Sequence, residues 1–489
     1  MSTGKITTTN VTPSGLYGRE VITTSETEIT IANVVRVLEH AKMKHAVNAG
    51  QIKRLFDIYK GRQDILNKVK TYRPEINNRV VENHAYEIVT FKVGYAFGDP
   101  VQYVRRGAVT TQNDSEDAAV AISKSIGDLN EYMAAESKSV VDKEVAECFY
   151  ICGLGYKGIL PDKMALLKED ESPFEVEALD PETTFVVYSS RFGHRPLMGV
   201  QIVLVDDSSR EPIYCVYTDR EYFEIKGNEI LKWQQHALGG IPIIEYPANS
   251  ARMGAFEPVI GIMDALNHLS SDRLDGITQH VQSLLKFKNT DFEDDMVSRL
   301  YEMGAIAVNS REGTVPADVE IMTAELNQDQ TQTLVEYLYQ TMLVICGMPD
   351  RQGANRTTGD TGAAVILRDG WGAAESMARD TELMFKKSES EFLKVALRIC
   401  EHSRGMKLRH SDVAIKFTRN RTDNLLVKTQ GLLNMQRAGI HPQIAIAHCG
   451  LFSDPEQVYL DSKDTMVTPD MLDKGVLTKT QINAHIDGT

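Results

Sequence analysis

LNQDQTQTLVEYLYQTMLVIC, residues 326–346, is followed by GMPDRQGANRTTGDT (347–361) and then by GAAVILRDGWGAAESMARDTELMFKKSESEFLKVALRIC (362–400). In the first segment Leu334, Leu338 and Met342 recur at every fourth position, which is the period of one helical face. Apolar residues recur at a similar period in the third segment, whereas the middle segment is polar and interrupted by glycine. The stretch therefore predicts a helix, a short loop and a second, longer helix.

The third segment is long for a helix of a globular domain. At about 1.5 Å per residue, a helix over residues 362–400 would extend roughly 55–60 Å. Gly370 and Gly372 flank Trp371 near its beginning. Because a glycine inside a helix costs about 1 kcal/mol relative to alanine, we expect a kink at this triplet.

Another long helix is predicted upstream, over residues 259–288, with an apolar stripe that begins at Val259, Met263 and Leu266. A compact insert separates the two helices. It is predicted to contain, in order, an acidic run (291–295), a short helix to about Met303, a strand (305–309), a turn (311–313) and a second strand ending near Met322. Because the chain must return along the way it came, we expect an antiparallel stalk with this insert at its tip.

The first half of the chain changes from a helical to a strand pattern near Gly155. Helices are predicted over 29–72 and 79–95, and a third begins at a cap formed by Asp114 or Ser115. The predicted strands are Tyr156–Leu160, Phe174–Ala178, Thr184–Tyr188, Met198–Val205, Ile213–Thr218 and Glu221–Ile225. A strand over 413–417 and short helices over 424–437 and 441–448 follow the long helix. The predicted fold class is α+β, mainly helical.

The composition narrows the possible functions. A chain of 489 residues with 42% hydrophobic residues can build more than one core, so we expect several modules. A net charge of −15 argues against a protein that grips nucleic acid by neutralising phosphates. The sequence has no secretory signal pattern and no apolar run of about 18 residues, so we expect a chain that is neither exported nor embedded in a membrane.

Motifs of catalytic and metal chemistry are missing from the sequence. The six cysteines form no CxxC pair and share no metal-ligand spacing with histidine, which indicates reduced, buried thiols. The sequence contains no GxxxxGK[ST] motif for ATP, and lone histidines such as His194 have no nucleophile at recognisable spacing. We therefore predict no catalytic residue, no metal site and no cofactor.

Four stretches carry a resemblance to a known family. They are NNRVVE (77–82) with GYAFGDP (94–100), GIPIIEY (240–246), FEPV (256–259) opening a helix with Asp264, Asn267, Ser271 and Asp272, and DTGAAVIL (360–367). Taken in this order, they resemble the portal, or connector, proteins of tailed double-stranded DNA bacteriophages, in the branch found in long-tailed phages of Gram-positive hosts. The resemblance extends from about residue 52 to residue 461.

The resemblance implies a portal fold assembled as a ring, with twelve copies in the virion. It divides the chain into a wing (1–250), a stem helix (251–288), a clip (289–324), a second stem helix (325–347), a tunnel loop (348–361), a long kinked helix with a wing strand (362–420) and a helical crown (421–489). The unpaired apolar stripes of the stem would then find partners in the neighbouring subunit.

The same resemblance assigns three groups of site residues. The tunnel loop would line the DNA channel with Arg351, Gln352, Asn355, Arg356, Thr357 and Asp360. The clip would dock partner proteins through Asp294, Asp295, Arg299, Arg311 and Glu312. The stem would form the oligomer interface through Met263, Leu266, Leu334, Leu338 and Met342.

The implied function is passage of double-stranded DNA through the ring during packaging and ejection. The implied partners are further copies of the chain, the DNA, the large subunit of the terminase motor, a head-completion adaptor, and the major capsid and scaffold proteins, with no membrane. The implied location is the portal vertex of the virion capsid, and the host cytoplasm during assembly.

The tunnel loop has a physical rationale as a channel wall. Phosphates occur about every 1.7 Å along DNA, so a strongly basic wall would hold the duplex by counterion release. Two arginines, Arg351 and Arg356, among neutral and acidic residues would let it slide. From the residues alone a solvated turn is the simpler interpretation, and the resemblance favours the channel.

An alternative function uses the acidic cluster near residue 293. Asp291, Glu293, Asp294 and Asp295 could hold a divalent metal, as in a cytosolic multidomain metal-dependent nuclease. Carboxylates at the first turn of a helix more often interact with the positive end of the helix dipole and with solvent than with a metal ion. Cleavage of DNA in the presence of Mg²⁺ would favour the nuclease, and a long stalk without a catalytic constellation favours the portal.

Overall fold

The computed structural model describes residues 18–71, 74–106, 116–162, 172–204, 211–281, 284–288, 318–322, 328–350, 370–417, 425–449, 451–452, 458–459 and 462. Its helices are α1 (Val34–Tyr59), α2 (His84–Ala96), α3 (Glu116–Ala135), α4 (Lys138–Cys152), α5 (Ile260–Val281), α6 (Gln328–Cys346), α7 (Trp371–Arg404), α8 (Leu425–Arg437) and α9 (Pro442–Cys449). Short 3-10 turns lie at Asp64–Asn67, Glu257–Val259 and His410–Asp412.

The strands confirm the period of two in the first half of the chain. They are β1 (Thr23–Thr24), β2 (Gln102–Arg105), β3 (Leu154–Pro161), β4 (Phe174–Leu179), β5 (Thr184–Ser189), β6 (Pro196–Val203), β7 (Ile213–Tyr217), β8 (Glu221–Lys226), β9 (Glu229–Gln235), β10 (Ile243–Pro247), β11 (Leu284–Lys288), β12 (Asp318–Met322) and β13 (Val413–Lys416). Helices and mainly antiparallel sheets together make the α+β class that the sequence predicts.

Four sheets are present within the described part of the chain. The largest has the order β1-β5-β6-β7-β8-β9, in which β5 to β9 form an antiparallel meander and β1 pairs parallel with β5. The others have the orders β10-β3-β4, β11-β12 and β13-β2. The predicted strand over 413–417 is present as β13 and pairs with β2, some 300 residues earlier in the chain.

The chain divides into two compact units. Unit one contains residues 1–56, 89–257 and 375–489, and unit two contains residues 57–88 and 258–374. Residues 57–88, which the sequence places in the wing, thus belong to the same unit as the two predicted stem helices.

The core of unit one lies between α1 and one face of the six-stranded sheet. Alternate strand residues such as Phe185 and Val187 share that face and pack in one buried cluster with Leu38 of α1. Each fully buried side chain of this kind contributes about 1.5–3 kcal/mol. His45 of α1 joins the cluster by stacking on Phe185, with 4.5 Å between the ring centroids.

Unit one also buries a network of four charged side chains. Lys138 and Lys157 each bind both carboxylates of the network, those of Asp142 and Glu389, at N–O distances of 2.5–2.9 Å. The hydroxyl of Tyr246 donates to Glu389 at 2.6 Å, and the hydroxyl of Tyr103 donates to its other oxygen at 2.5 Å. These charges balance, which offsets much of the cost of taking them out of water. The network ties α7, which carries Glu389, to α4 and to three strands.

The structure corrects the end of a predicted helix in unit two. The helix predicted over 259–288 ends at Val281, and Leu284–Lys288 is a strand that pairs antiparallel with Asp318–Met322. Lys286 stands opposite Glu320 in this register and Lys288 opposite Asp318. The sequence misses the strand because five apolar and basic residues are compatible with either period.

The predicted kink at Gly370-Trp371-Gly372 is also wrong. Gly370 has φ +82°, a left-handed conformation that does not belong to a right-handed helix, and α7 begins at Trp371. The carbonyl of Gly370 accepts the first bonds of α7, from the N–H groups of Ala373 and Ala374. The glycine therefore starts a helix. The rest of the predicted helical segment before it, residues 362–369, lies outside the described residues.

Candidate functional site

The predicted stem is built from α5 and α6, which contact each other in unit two. The N–H of the Arg273 guanidinium donates to the side-chain oxygen of Gln332 at 2.9 Å across the two helices. Predictions of helical arms at these positions are confirmed over Ile260–Val281 and Gln328–Cys346.

An extended segment, residues 77–83, is bound along α5, and we refer to it as the strap. Its alternate backbone N–H groups donate to side chains one helical turn apart. The N–H of residue 78 donates to Asp275 at 2.7 Å, that of residue 80 to Ser271 at 3.0 Å, and that of residue 82 to Asn267 at 2.8 Å. The strap and α5 therefore run in opposite directions.

The spacing of these three bonds follows from the geometry of the two elements. Two residues of extended chain span about 6.6 Å, and four residues of helix rise about 6 Å. Alternate strap amides consequently meet every fourth helix residue over all three bonds. Side chains of α5 accept these hydrogen bonds, as a neighbouring strand would in a sheet. Residues 79–83, which were predicted to be helical, are therefore extended, and α2 begins only at His84.

Asp275 is the most heavily bonded residue of this arrangement. Besides the backbone N–H of Asn78 it accepts from the side-chain amide of Asn78 at 2.8 Å and from Lys70 at 2.5 Å, and Lys68 lies 3.4 Å away. Burial alone would raise the pKa of this carboxyl, but the bonds from Lys70 and Asn78 outweigh burial and lower its pKa to about 2. Asp275 therefore remains charged in the folded protein at any physiological pH.

The beginning of α2 carries a charged histidine. His84 lies 2.9 Å from the carboxylate of Glu87 and 3.2 Å from that of Glu82. Burial lowers the pKa of His84, yet the hydrogen bonds to Glu82 and Glu87 prevail and raise it to about 9. The hydroxyl of Tyr339 on α6 donates to Glu87 at 2.9 Å, so the same carboxylate connects α2 with α6.

The residues predicted for the oligomer interface separate into two groups. Met263, Leu266 and Met342 are buried within the chain, so we remove them from the proposed interface. Leu334 is exposed and Leu338 is half-buried. A periodic apolar stripe indicates a helix face that packs against something. The sequence pattern does not show whether that face packs within the same chain or against another copy.

Further apolar residues of both helices face solvent. Those on α6 were missed by the sequence, whereas those on α5 belong to its predicted apolar stripe. On α6, Tyr337 is 65% exposed and Val344 is 76% exposed, and they continue the spacing that starts at Leu334. On α5, Leu274 and Ile277 are exposed one turn apart. The signal that could have found Tyr337 and Val344 is a second apolar stripe, displaced by three residues from the first.

Met348, at the beginning of the predicted tunnel loop, lies close to Gly370, at the start of α7. At the end of α6 Gly347 has φ +61°, and the N–H groups of Gly347 and Met348 donate to the carbonyls of Val344 and Leu343, the pattern of a glycine-capped helix terminus. A Cβ added at Gly370 would lie 3.6 Å from the carbonyl oxygen of Met348. The chain thus leaves this point after α6 and returns to it before α7.

Two predicted groups of site residues lie outside the described residues. These are the tunnel-loop residues Arg351, Gln352, Asn355, Arg356, Thr357 and Asp360, and the clip residues Asp294, Asp295, Arg299, Arg311 and Glu312. The acidic run at 291–295 lies outside them as well. Among the residues that the structure does describe, no group of three or more His, Cys, Asp or Glu side chains could hold a metal ion. No helix in the described ranges is long and apolar enough to cross a membrane.

Comparison with known proteins identifies one family. The chain matches the family model described as phage portal protein, SPP1 Gp6-like, over residues 38–465. A search of curated proteins returns no match. The matched range includes α5, α6, the strap and the segment between α6 and α7.

Proposed function

The chain belongs to the SPP1 Gp6-like family of phage portal proteins, and we propose that it forms the ring at one capsid vertex through which double-stranded DNA enters and leaves. Portal proteins are structural components of the virion capsid vertex. The proposal concerns what this chain does there: closing a ring, passing DNA along the axis, and docking the terminase motor and later a head-tail adaptor.

The observation that carries the ring is the exposed apolar stripe of α6. Leu334, Tyr337 and Val344 recur at helical spacing and are exposed in the isolated chain. Contiguous exposed apolar surface is typical of an interface, whereas single exposed apolar residues are ordinary. A neighbouring copy would cover this stripe with a different surface of its own, which is the arrangement that closes a ring by rotation.

The DNA channel is proposed from the loop between α6 and α7. The residues that flank it, Met348 and Gly370, lie close together, which supports a loop anchored at one point of the chain. Arg351 and Arg356 within it are the cations that we propose contact passing phosphates. Exposed contacts of this kind are worth about 0–1 kcal/mol and are screened by salt, so they would guide DNA without retaining it.

Docking of the motor and the adaptor is proposed for the clip. The ribbon of β11 and β12 leads into residues 289–317, which include the clip residues Arg311 and Glu312. A two-stranded ribbon is marginally stable alone and offers hydrogen-bonding edges to a partner. Deleting residues 309–315 should therefore weaken binding of both the terminase large subunit and the adaptor, and intact binding of both would refute this assignment.

The remaining modules are proposed from the family. Residues 1–250 with the segment after residue 361 would form the wing, which faces the major capsid and scaffold proteins during assembly in the host cytoplasm. Residues after 420 would form the crown. Because residues 57–88 share a compact unit with α5 and α6, we assign them to the stem module and not to the wing.

One experiment tests the ring. The purified chain is imaged by negative stain and its mass is measured by light scattering at micromolar concentration. Closed rings with a central hole are expected. A stable monomer over the whole concentration range would refute the proposed function, as would DNA cleavage that depends on Mg²⁺ and on the carboxylates at 291–295.

A further inference from the structure

The strand β9 (Glu229–Gln235) forms one edge of the six-stranded sheet, and nearly all of its residues are exposed. Its neighbour β8 binds only one side of it. The N–H of His236 donates to the carbonyl of Arg220 at 2.8 Å, on the β8 side. Because backbone groups point to alternate sides along an antiparallel strand, those of Trp233 and Gln235 point to the other side, which we call the outer edge of β9.

The outer edge has no partner in the part of the chain that the structure describes. Neither the N–H nor the carbonyl of Trp233 or Gln235 forms a hydrogen bond on this side with any described residue. Lysine side chains often protect such edges, but Lys232 lies on the sheet instead, 3.2 Å from Glu224 and over the ring of Tyr222. An unpaired edge of this length readily pairs with a strand of another chain.

Two other sheets of unit one cover an edge with side chains of the same chain. In β2 the N–H of Tyr103 donates to the side chain of Asn130 at 3.3 Å, and the amide of Asn130 donates to the carbonyl of Tyr103 at 2.8 Å. In β4 the carboxylate of Glu136 accepts a hydrogen bond from the backbone of Val176. These side chains occupy the groups that a further strand would use. Within the described ranges, no side chain does this at the outer edge of β9.

Trp233 places apolar surface beside the outer edge. It stands opposite Phe223 in the register of β8 and β9, so both side chains lie on the sheet face that packs against α1. Phe223 is fully buried there, whereas Trp233 is 47% exposed. The indole N–H donates to Glu221 at 3.2 Å, which holds the ring against β8. A strand added at the outer edge would cover the exposed part of this ring, because neighbouring side chains on one face of a sheet pack together.

A segment of matching length lies in the first part of the sequence. Residues 6–12, ITTTNVT, are outside the described residues, and we refer to them as the arm. All of them except Asn10 are β-branched, a class of side chain enriched in strands, and none is charged. The arm has as many residues as β9, and Pro13 follows it. Its sequence is therefore suited to pairing with an open strand edge.

The arm of one chain falls short of its own β9. Gly18 follows the last arm residue by six residue steps. The next residue, Arg19, donates its backbone N–H to the carbonyl of Arg252 at 3.0 Å, and the guanidinium of Arg252 lies 5.8 Å from the ring centre of Tyr188 in β5. A strand added outside β9 would lie five strand spacings from β5, or about 24 Å, whereas six residue steps span at most about 20–22 Å.

We propose that the arm of one copy pairs with the outer edge of β9 in the next copy of the ring and extends that sheet by one strand. This inference rests on the proposed ring and identifies one of its contacts. The chain that follows the arm joins the sheet as β1, at the edge opposite β9. A segment at one edge that pairs with the opposite edge of the next copy makes a head-to-tail contact, the type that closes a ring by rotation. Main-chain hydrogen bonds supply the affinity in such strand addition.

The test follows the exposure of Trp233 by iodide quenching of its fluorescence. Trp371 is the other tryptophan of the sequence, so every protein carries Trp371→Phe. This parent protein is compared with a chain that lacks residues 2–13 and with Gln235→Pro. Proline removes the outward N–H of residue 235 and leaves the bonds to β8 in place. Gln235→Ala, which keeps that N–H, is the matched control.

In rings of the parent protein Trp233 should be protected from iodide. Loss of the arm and Gln235→Pro should each increase the quenching several-fold. Each should also raise the concentration at half-assembly about tenfold, because backbone hydrogen bonds between copies are lost. The alanine control should match the parent protein. Sedimentation velocity over a range of concentrations measures assembly, and circular dichroism checks that each variant is folded.

Equal quenching in rings with and without the arm would overturn the proposal and leave the outer edge to another protein. Protection of Trp233 in dissociated parent monomers would also overturn it, because the arm would then lie on its own chain. An alanine control that loses protection as the proline variant does would contradict pairing through the backbone. A parent protein that is monomeric at every concentration would instead refute the ring itself.

Discussion

The side-chain oxygen of Asn267 accepts a hydrogen bond of 2.8 Å from the backbone N–H of Glu82, 185 residues earlier in the chain. The amide nitrogen of the same side chain donates to the side-chain oxygen of Gln63 at 2.5 Å. Asn267 is fully buried, so it uses both ends of its amide to join two segments to α5. Only an amide side chain offers an acceptor and a donor in this arrangement.

Asn267→Leu should destabilise unit two by about 2–4 kcal/mol, because it leaves a buried N–H and a buried carbonyl oxygen without partners. Hydrogen exchange of the amides at residues 78, 80 and 82 reports on the strap directly. We expect these amides to exchange slowly in the wild type and much faster in the variant. Asp272→Asn, an exposed change on the same helix, is the control, and equal exchange in both variants would contradict the role of Asn267.

Asp275 should make the stability of unit two depend on pH in the acid range. Its pKa is about 2 when folded and its ordinary value is 3.8, so the unfolded chain takes up the proton first as pH falls. The stabilisation is therefore complete above about pH 4 and is lost as pH falls through 2. Asp275→Asn should be less stable at neutral pH and should show a weaker loss between pH 4 and pH 2. Denaturant titrations across this range measure it, and parallel pH profiles for both proteins would contradict it.

Glu389→Gln should be strongly destabilising. The change leaves Lys138 and Lys157 buried with a single carboxylate, and breaking a buried ion network by removing one partner costs about 3–5 kcal/mol. Glu391→Gln, on the same helix, is the matched control. Its pair with Lys394 is exposed and should contribute less than about 1 kcal/mol. The midpoints of thermal unfolding compare the two, and a Glu389 variant as stable as its control would show that the network contributes nothing net.

Substitutions on α6 should separate assembly from folding. Tyr337→Ser with Val344→Ser removes exposed apolar surface, so we expect a folded chain that needs a higher protein concentration to form rings. Met342→Asp places a charge in the interior of the chain and should reduce the yield of folded protein instead. Light scattering and circular dichroism distinguish these results. Normal ring assembly by the double variant would remove this stripe from the interface.

Arg351→Gln with Arg356→Gln should leave ring assembly unchanged and alter DNA packaging. The loss of two weak phosphate contacts should be most visible at low salt, where exposed charges are least screened. Replacing both by Glu should be worse, because it adds direct repulsion. An in vitro packaging assay on pre-assembled heads carrying each variant measures the effect. If both variants package and retain DNA as the wild type does, the loop has no role in the channel and is better interpreted as a solvated turn.

The sequence by itself determined the family and the period of the longer elements. Apolar residues that recur every three to four positions located α5, α6 and α7, and alternating apolar and polar residues located β3 to β8. Both periods follow from the geometry of the local backbone. Four short stretches in order indicated a portal protein, which the family match over residues 38–465 confirms. The tunnel-loop and clip residues stay predictions.

Only the tertiary structure decided which side chains face solvent and which backbone groups need a distant partner. Met342 and Val344 are both apolar residues of one helix, yet one is buried and the other exposed, because burial depends on what packs against each side. Residues 79–83 have helical periodicity, but their amides donate to α5, so they are extended. Local pattern cannot predict that outcome, since the acceptors lie almost 200 residues further along the chain.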